Sequence, residues 1–347
     1  MHKRKPTIYD IAELAGSSAS TVSAVLSGQW QKRRIKESTA DTIKEIARIH
    51  GYKTNLQARG LRQSRSGLVG LIIPDYENRY FSYLAQQFGD NARARNLCPI
   101  VGNTLRNAAE EKRIIESLIS YNVDFLFIAG ADDPDAISQM CHQAGIDHLN
   151  LDLPASSGMS IISDNRWGGH MLTSALLDRA RLTNGHQNGL AGEELYFIGG
   201  VESDHATQQR LLGFQEAISE RGLAVDLDHI HLCSYEADEA ERTLHGLISA
   251  LGHVPKLMFV NSISSFEGVL RVLHVQPMTE LEDIVVGVFD WDPTARYLHF
   301  PVTMMRQNTE AIVDQAFDIF DRIESGTLKV SMEKKWIQVK PELVPAE

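Results

Sequence analysis

The sequence is poor in cysteine and has no long apolar run. Its three cysteines, Cys98, Cys141 and Cys233, are few for 347 residues and widely separated. An odd number of widely separated cysteines gives neither a disulfide framework nor zinc-ligand spacing. We therefore expect a reducing compartment and no metal. No segment is apolar for long enough to cross a membrane, and the start, MHKRKPTIYD, lacks the apolar core of a signal peptide. These absences favour a cytoplasmic protein.

Positive charge is also scarce overall, but it is concentrated in one segment. The net charge is −11, yet residues 1–66 hold 13 Lys and Arg against 5 Asp and Glu. That segment carries +8 and the remainder carries −19. A basic head on an acidic body is typical of a protein whose head binds a polyanion while its body is repelled by it. A run such as Lys32 to Arg34, taken alone, is equally compatible with a solvated loop.

Two short helical patterns separated by Gly-Ser-Ser occupy TIYDIAELAGSSASTVSAVLSG, residues 7–28. Thr7 and Ser18 can cap the two helices. Apolar residues recur on one face of each helix, namely Ile8, Ile11, Leu14 and Ala15 in the first and Val22, Val25 and Leu26 in the second. Such a pair forms a helix-turn-helix, whose second helix can enter the DNA major groove. On this stretch alone, an ordinary helical hairpin with a solvated polar face is equally compatible.

The outward side of the second helix is predicted to carry only small residues, Ala19, Ser20, Ser23 and Ala24. Ala19 can contact a thymine methyl group and Ser20 can bond to several bases. The hydroxyls of Ser18, Thr21 and Ser23 are better placed to anchor phosphates. Because this face lacks Arg, Asn and Gln, which grip a base edge bidentately, direct sequence readout by this helix should be modest.

From Leu68 onward, strand-like apolar runs alternate with amphipathic helices, and the pattern restarts after Ser163. This alternation predicts two parallel sheets with helices on both faces, an α/β core of two lobes. Open sheets of this kind bind ligands beyond the carboxyl ends of their strands. The polar residues predicted at those ends are Asp75, Asp152, Asn261, Asp290 and Gln307. Together they suit a hydroxyl-rich ligand, although each alone could cap a loop.

A carbohydrate-active enzyme is the alternative. Carboxylates are paired in ADDPD (131–135) and FDWD (289–292), and His170, His186 and His205 could supply bases. Asp-Pro pairs are ordinary turn chemistry, however, and no supporting pattern surrounds them. We therefore expect no enzyme activity and no catalytic residues. A sugar-binding protein without a DNA function would leave the basic head unexplained.

TIYDIAELAGSSASTVSAVLSG, followed by NLQARGLR and SGLVGLIIPDYEN, resembles the lactose-repressor/galactose-repressor family of bacterial transcription regulators. The resemblance covers essentially the whole chain, and SGQWQKRRIKEST, GLR and IIPDYEN are most similar to the fructose repressor (catabolite repressor/activator) group. It implies an all-α helix-turn-helix head at 1–52, a hinge at 53–66 and a core at 67–347 that resembles periplasmic sugar-binding proteins. The implied lobes are about 67–164 with 306–331, and about 165–305 with 332–347.

The resemblance also implies DNA contacts. Leu61 matches a leucine that paired hinge helices insert into the minor groove at the operator centre, and Ala58 matches the small residue where those helices touch. The other positions that it places on DNA are Thr7, Tyr9, Ala24, Asn55 and Arg62. It implies a homodimeric regulator, a repressor of carbohydrate metabolism genes, that binds palindromic operator DNA and needs no cofactor.

An effector site is implied as well. The implied binding residues are Asp152, Arg210, Asn261, Asp290 and Gln307, with Tyr235 as an aromatic wall and Asp75, Asn78 and Arg79 at the mouth. The fructose repressor group has an arginine after the aspartate that ends IDHLNLD, where this sequence has Leu153. A sugar phosphate would thus have fewer cationic partners, which keeps an unphosphorylated sugar open as the effector.

Overall fold

The computed structural model describes residues 6–53, 65–184, 195–329 and 335–346, without the side chains of 181–184. The chain divides into two compact units, a head (residues 1–67) and a core (residues 68–347), each with its own apolar interior. Among the described residues, no helix is long and apolar enough to span a membrane. The hinge positions Asn55, Ala58, Leu61 and Arg62 lie outside the described residues.

Three helices form the head: α1 (Ile8–Leu14), α2 (Ala19–Leu26) and α3 (Glu37–Ile49). The predicted caps are confirmed, since Thr7 and Asp10 form a reciprocal capping box and the Ser18 hydroxyl accepts from the Thr21 backbone N–H. The interior combines all three helices and includes Ile11, Val22, Val25 and Ile43. Leu14 shares the apolar face of α1 by its spacing, but it is the last residue of that helix and is 52% exposed.

The core consists of alternating strands and helices. Its first part comprises β1 (Leu68–Ile73), α4 (Arg79–Ala94), β2 (Cys98–Asn103), α5 (Ala108–Ser120), β3 (Phe125–Ala129), α6 (Pro134–Ala144), β4 (Asp147–Leu151) and β5 (Met159–Ser163). Its second part comprises α7 (Asn165–Asn184), β6 (Leu195–Ile198), α8 (His205–Glu220), β7 (Ile230–His231), α9 (Ala237–Leu251), β8 (Leu257–Val260), α10 (Ile263–Leu273), α11 (Met278–Leu281) and β9 (Val285–Phe289). The remaining elements are β10 (Val302–Arg306), α12 (Thr309–Glu324), β11 (Lys335–Val339) and β12 (Glu342–Val344).

The strands form two six-stranded sheets, one in each lobe. The first has the order β11-β5-β4-β3-β1-β2 and the second has the order β12-β10-β9-β8-β6-β7. All described strand pairs are parallel except β10 with β12, which adds an antiparallel edge to the second sheet. Phenylalanines from β3, α4 and α12 fill the first lobe, and helices cover the second sheet as they do the first. The predicted two-lobed α/β core is confirmed.

The lobe boundaries differ from those predicted near the end of the chain. The sequence analysis placed residues 332–347 in the second lobe, but β11 pairs in parallel with β5 at the edge of the first sheet. Ile337 and Val339 on this strand pack into the first lobe's core, which accounts for its place there. The predicted start of the second segment of the first lobe, residue 306, is the last residue of β10. The whole of β10 lies in the second sheet. β5 was not predicted as a strand.

Candidate functional site

The head presents a cluster of hydroxyls at the start of α2. The Ser18 Oγ lies 2.8 Å from both the Ser20 Oγ and the Thr21 Oγ1. Ser18 and Ser20 are exposed, while Ala19, Thr21 and Ser23 are half-buried. Together with the dipole at a helix N-terminus, these hydroxyls suit phosphate oxygens. On α1, Thr7 is half-buried and Tyr9 is 68% exposed.

Ala24 is not on the outward face. The sequence analysis placed it among the DNA-contacting residues, but only 4% of it is exposed. After α2 the chain folds back, so that the Gln29 backbone N–H donates to the Ala24 carbonyl at 2.9 Å and the Ser27 hydroxyl donates to the same oxygen at 3.3 Å. The chain after α2 thus turns back onto the Ala24 carbonyl group, and Ala24 itself is buried.

A narrow cleft opens between the lobes at the carboxyl ends of the strands. The deep cleft, as we call it, has a volume of about 40 Å³ and is lined by Asn78, Tyr80, Phe81, Arg106, Gly130, Asp152, Leu153, Asp204, Ala206, Arg210, Tyr235, Ser262, Asp290 and Gln307. Six of the predicted effector residues line it: Asn78, Asp152, Arg210, Tyr235, Asp290 and Gln307. Polar residues that follow strands of both sheets thus meet in one cleft, as expected for ligand sites at the carboxyl ends of parallel strands.

Two of these aspartates follow strands in an unusual backbone conformation. Asp152 has φ +69° after β4 and Asp290 has φ +88° after β9, in the left-handed region that most side chains avoid. Both are buried, with 8% and 5% exposure. Burial raises the pKa of Asp152 to about 7, against the opposing effect of the Arg210 charge, and burial likewise raises the pKa of Asp290. Near neutral pH the Asp152 carboxyl group can therefore both donate and accept.

Arg210 is the buried cation of the cleft, with 3% exposure. Its Nε donates to the Asn165 Oδ1 at 2.8 Å and its Nη1 donates to the Asn261 carbonyl oxygen at 2.6 Å. The guanidinium lies 3.8 Å from the centroid of the Phe289 ring. These contacts hold the group rigidly while its remaining N–H groups are available to a ligand.

Gln307 joins Asp290 of the second lobe to Ser163, which ends β5 of the first lobe. Its Nε2 donates to the Asp290 Oδ1 at 2.6 Å, and its Oε1 accepts from the Ser163 hydroxyl at 2.5 Å. The other Asp290 oxygen accepts from the Ile263 backbone N–H at 3.2 Å. A ligand that contacts Asp290 or Gln307 would therefore change the hydrogen bonds at the crossover between the lobes.

Asn261, predicted to bind the effector, is fully buried and is not among the residues that line the deep cleft. Its Nδ2 donates to the Thr207 Oγ1 at 3.2 Å, and its backbone carbonyl accepts from Arg210. Its side-chain Oδ1 is buried without a hydrogen-bond partner among the described residues, so a ligand contact by Asn261 stays a prediction.

Sequence reasoning missed Asp204 and Arg106. The Tyr235 hydroxyl donates to the Asp204 Oδ2 at 2.7 Å, and that oxygen also accepts from the Thr207 backbone N–H as the cap of α8. The sequence is compatible with Asp204 as a helix cap, but it does not indicate that Asp204 lies in the cleft. The guanidinium carbon of Arg106 lies 5.2 Å from the Tyr235 ring centroid, across the lobes. Arg106 has φ +51°, which no sequence pattern indicated.

A larger cavity of about 750 Å³ adjoins the deep cleft and forms its mouth. Asp75, Asn78 and Arg79 line it, as predicted for the mouth. The Asp75 Oδ1 accepts from the Asn78 backbone N–H at 2.6 Å, while Asp75 also pairs with Arg106 at 3.7 Å. Arg79 pairs across the lobes with Asp292, Nε to Oδ2, at 2.9 Å.

The groups considered for an enzyme have structural partners. Asp133 caps α6, and Asp135 accepts from the Ser156 backbone N–H at 2.7 Å. Asp292 caps a short 3-10 turn through Thr294, and His170 pairs with Glu220 at the surface at 2.7 Å. Within the described parts of the chain, no cluster of three or more His, Cys, Asp or Glu side chains could hold a metal ion. His186 lies outside those parts.

The raised pKa of Asp152 predicts a pH-dependent stability. Between about pH 4 and pH 7 the folded protein binds a proton that the unfolded chain releases, so the free energy of unfolding should fall as pH rises, by up to about 1.4 kcal/mol per pH unit. Asp152→Asn removes this titration. We expect the variant to gain stability relative to the unmodified protein on going from about pH 5 to about pH 7.5, measured by urea unfolding. An identical difference at both pH values would contradict the assignment.

Comparisons with known proteins agree with these features. Residues 7–55 match the profile of bacterial regulatory proteins, lacI family. The chain is 45% identical over 197 residues to the ribitol operon repressor of Klebsiella aerogenes, covering 57% of this chain and 71% of the repressor. It is 26% identical over 344 residues to the fructose operon regulatory protein of Vibrio cholerae, covering 98% of each chain.

Solved structures show the same fold. A lac repressor dimer bound to operator and the anti-inducer ONPF matches with a TM-score of 0.79 at 19% identity, over 99% of this chain and 98% of that chain. The helix-turn-helix head, the paired α/β lobes and the similarity to the ribitol operon repressor lead to one conclusion. The chain belongs to the lacI family of bacterial regulatory proteins.

Proposed function

We propose that this protein is a homodimeric transcription regulator whose affinity for a palindromic operator is set by an unphosphorylated polyol in the deep cleft. The basic head with its helix-turn-helix supports the DNA role. The buried, hydroxyl-compatible cleft supports the ligand role. The proposed DNA contacts on the head are Thr7, Tyr9, Ser18, Ala19, Ser20, Thr21 and Ser23. The hinge contacts, Leu61 above all, remain predictions from the sequence.

The charge of the deep cleft is the observation that favours an uncharged ligand. Three aspartates, Asp152, Asp204 and Asp290, line it against two arginines. Arg210 already has two protein acceptors, and Arg106 pairs with Asp75. Even with Asp152 partly protonated at its pKa of about 7, a phosphate dianion would add negative charge beside these carboxyl groups. It would also have to share both arginines with the acceptors that they already bind. Leu153, which also lines the cleft, has no polar side-chain group that could bind a phosphate.

Ribitol is the first polyol to test. The relative that is 45% identical is named for the ribitol operon, and a pentitol matches the groups in the cleft. Carboxylates accept from hydroxyl groups, amides and carboxylic acids can do both, and guanidinium groups donate. Effector residues proposed on this basis are Asn78, Asp152, Arg210, Tyr235, Asp290 and Gln307, with Asp75 and Arg79 at the mouth and Asn261 as a support.

The cleft as observed is nearly closed. Its volume of about 40 Å³ is far below the roughly 300–1,000 Å³ that is usual for pockets that bury a small molecule. A pentitol can therefore bind only if the lobes separate. The interlobe contacts Arg79 to Asp292 and Ser163 to Gln307 have to give way or shift for this opening. Ligand binding and lobe position are thus linked, which is what a ligand-controlled regulator needs.

Calorimetric titration of the full chain tests the ligand class. We expect ribitol, or another pentitol in the same series, to bind, while ribitol 5-phosphate and fructose 1-phosphate bind at least about 10-fold more weakly, a difference of about 1.4 kcal/mol. Tighter binding of the phosphorylated compounds would contradict the charge argument. Turnover of a bound polyol, followed by chromatography, would instead favour an enzyme.

A further inference from the structure

Tyr80 lies in the deep cleft although no sequence pattern pointed to it. It is the second residue of α4, and its backbone N–H donates to the Asn78 Oδ1 at 2.9 Å. Its ring packs edge-on against the Phe81 ring, with centroids 4.9 Å apart, and only 6% of the residue is exposed. Because backbone and ring are both held, the hydroxyl has a fixed position.

That hydroxyl is buried without a hydrogen bond. It lies beside the Asp152 carboxyl group, yet no described residue meets it with hydrogen-bond geometry. The Tyr235 hydroxyl, by contrast, is fully used, since it donates to Asp204 and lies 2.9 Å from the Thr207 Oγ1. Burying a hydroxyl without a partner is unfavourable, because the water that it bonded in the unfolded chain is not replaced. An orphaned group of this kind calls for a partner from outside the chain.

The position of Tyr80 also separates two cavities. Besides the deep cleft, Tyr80 lines a back cavity of about 340 Å³, which is bounded by Tyr83 and Trp291 among others. Asp290 and Gln307 line both cavities as well. Tyr80 therefore forms part of the inner wall against which a ligand in the deep cleft would rest.

Burial and the neighbouring carboxyl groups of Asp152 and Asp290 raise the pKa of Tyr80 well above its ordinary value. The group therefore stays protonated and can donate. A ligand hydroxyl between Tyr80 and Asp152 could accept from the tyrosine and donate to the carboxylate at the same time. A ligand lacking that hydroxyl would leave both protein groups without a partner, which is the strongest basis for discrimination against an analogue.

We propose that Tyr80 determines effector specificity: its hydroxyl donates to one hydroxyl of the polyol, and this contact selects against the corresponding deoxy compound. The inference rests on the proposed polyol-binding function. It assigns a ligand contact to the Tyr80 hydroxyl. Removal of that hydroxyl should lower the affinity for ligand without lowering the stability of the ligand-free protein.

Tyr80→Phe removes only the hydroxyl and is the direct test. We expect the affinity for ribitol, measured by calorimetry, to fall about 10-fold or more, in the range expected when one buried hydrogen bond is lost. The thermal midpoint of the ligand-free variant should be unchanged or higher, because the orphaned group is gone. Tyr83→Phe is the matched control: its hydroxyl meets Arg79 at 3.5 Å, outside the deep cleft, and ribitol affinity should stay within about 2-fold.

The deoxy analogues of ribitol complete the test. For the unmodified protein, one of 1-deoxy-, 2-deoxy- and 3-deoxyribitol should bind about 10-fold more weakly than ribitol, and Tyr80→Phe should remove most of that difference. Equal ribitol affinity of Tyr80→Phe and the unmodified protein would overturn the inference, as would a lower ligand-free midpoint, which indicates a structural role. If the unmodified protein binds no pentitol, the proposed ligand class fails and the inference falls with it.

Discussion

Arg210→Ala is expected to abolish the effect of ribitol on operator affinity while leaving ligand-free operator binding largely intact. Arg210 is the buried cation beside Asp152 and Asp290, and it is fixed by Asn165 and the Asn261 carbonyl. Its loss removes ligand donors and leaves buried carboxyl groups without their counter-charge. The head that binds DNA is a separate compact unit, so its own fold should persist. Operator titrations with and without ribitol measure the response.

Arg221→Ala is the matched control for this variant. Arg221 also bridges α7 and α8, through Ser174 and through Asp178 at 2.9 Å, but it lies outside the deep cleft. We expect it to keep the full ribitol response. A response of Arg210→Ala as large as that of the unmodified protein, with unchanged ribitol affinity, would rule out the cleft assignment. Thermal unfolding of both variants separates loss of function from loss of fold.

Gly213→Ala is expected to destabilise the core severely, by at least about 3 kcal/mol. Gly213 on α8 faces α7 so closely that a methyl group would overlap the Arg166 carbonyl oxygen and lie 2.6 Å from the His170 backbone nitrogen. Gly169 on α7 makes the reciprocal approach to Arg210. Since these are backbone atoms, the helices would have to separate. Arg210 would then move away from Asn165, so ribitol binding should weaken as well.

Gly246→Ala is the control for the glycine variant. Gly246 is exposed in the middle of α9, and an added methyl group there meets no atom within 4 Å. Alanine is the better helix former, so this change should stabilise by about 0.5–1 kcal/mol. Thermal unfolding by circular dichroism gives both values. A loss of less than about 1 kcal/mol for Gly213→Ala would show that α7 and α8 can move apart freely.

The sequence predicted the cleft better than it predicted the contacts inside it. Strand ends can be read from apolar runs, and a parallel sheet brings them to one edge, so Asp152, Asp290 and Gln307 could be grouped in advance. Asn261 follows its strand in the same way, yet it is fully buried, bonds to Thr207 and does not line the deep cleft. The direction of a side chain after a strand depends on backbone angles that residue type does not determine.

Residues outside the strand ends were harder to predict. Tyr80 reads as an ordinary core aromatic of α4, and Asp204 reads as a helix cap; both descriptions are correct but incomplete. Ala24 fits an outward position by helical spacing, but it is buried, and the chain after α2 turns back onto its carbonyl group. β11 lies far along the chain from β5, its partner. Each case depends on contacts between segments distant in sequence, which local patterns do not contain.

Operator affinity as a function of ribitol tests the central claim most directly. A palindromic site selected from random duplexes by the full-length protein, labelled for fluorescence anisotropy, is titrated without ligand, with saturating ribitol and with ribitol 5-phosphate. We expect ribitol to shift the midpoint for operator binding by about 5-fold or more, as an allosteric coupling of at least about 1 kcal/mol requires, and the phosphate to leave it unchanged. An unchanged midpoint at ribitol concentrations that calorimetry shows to be saturating would contradict control of DNA binding by the deep cleft.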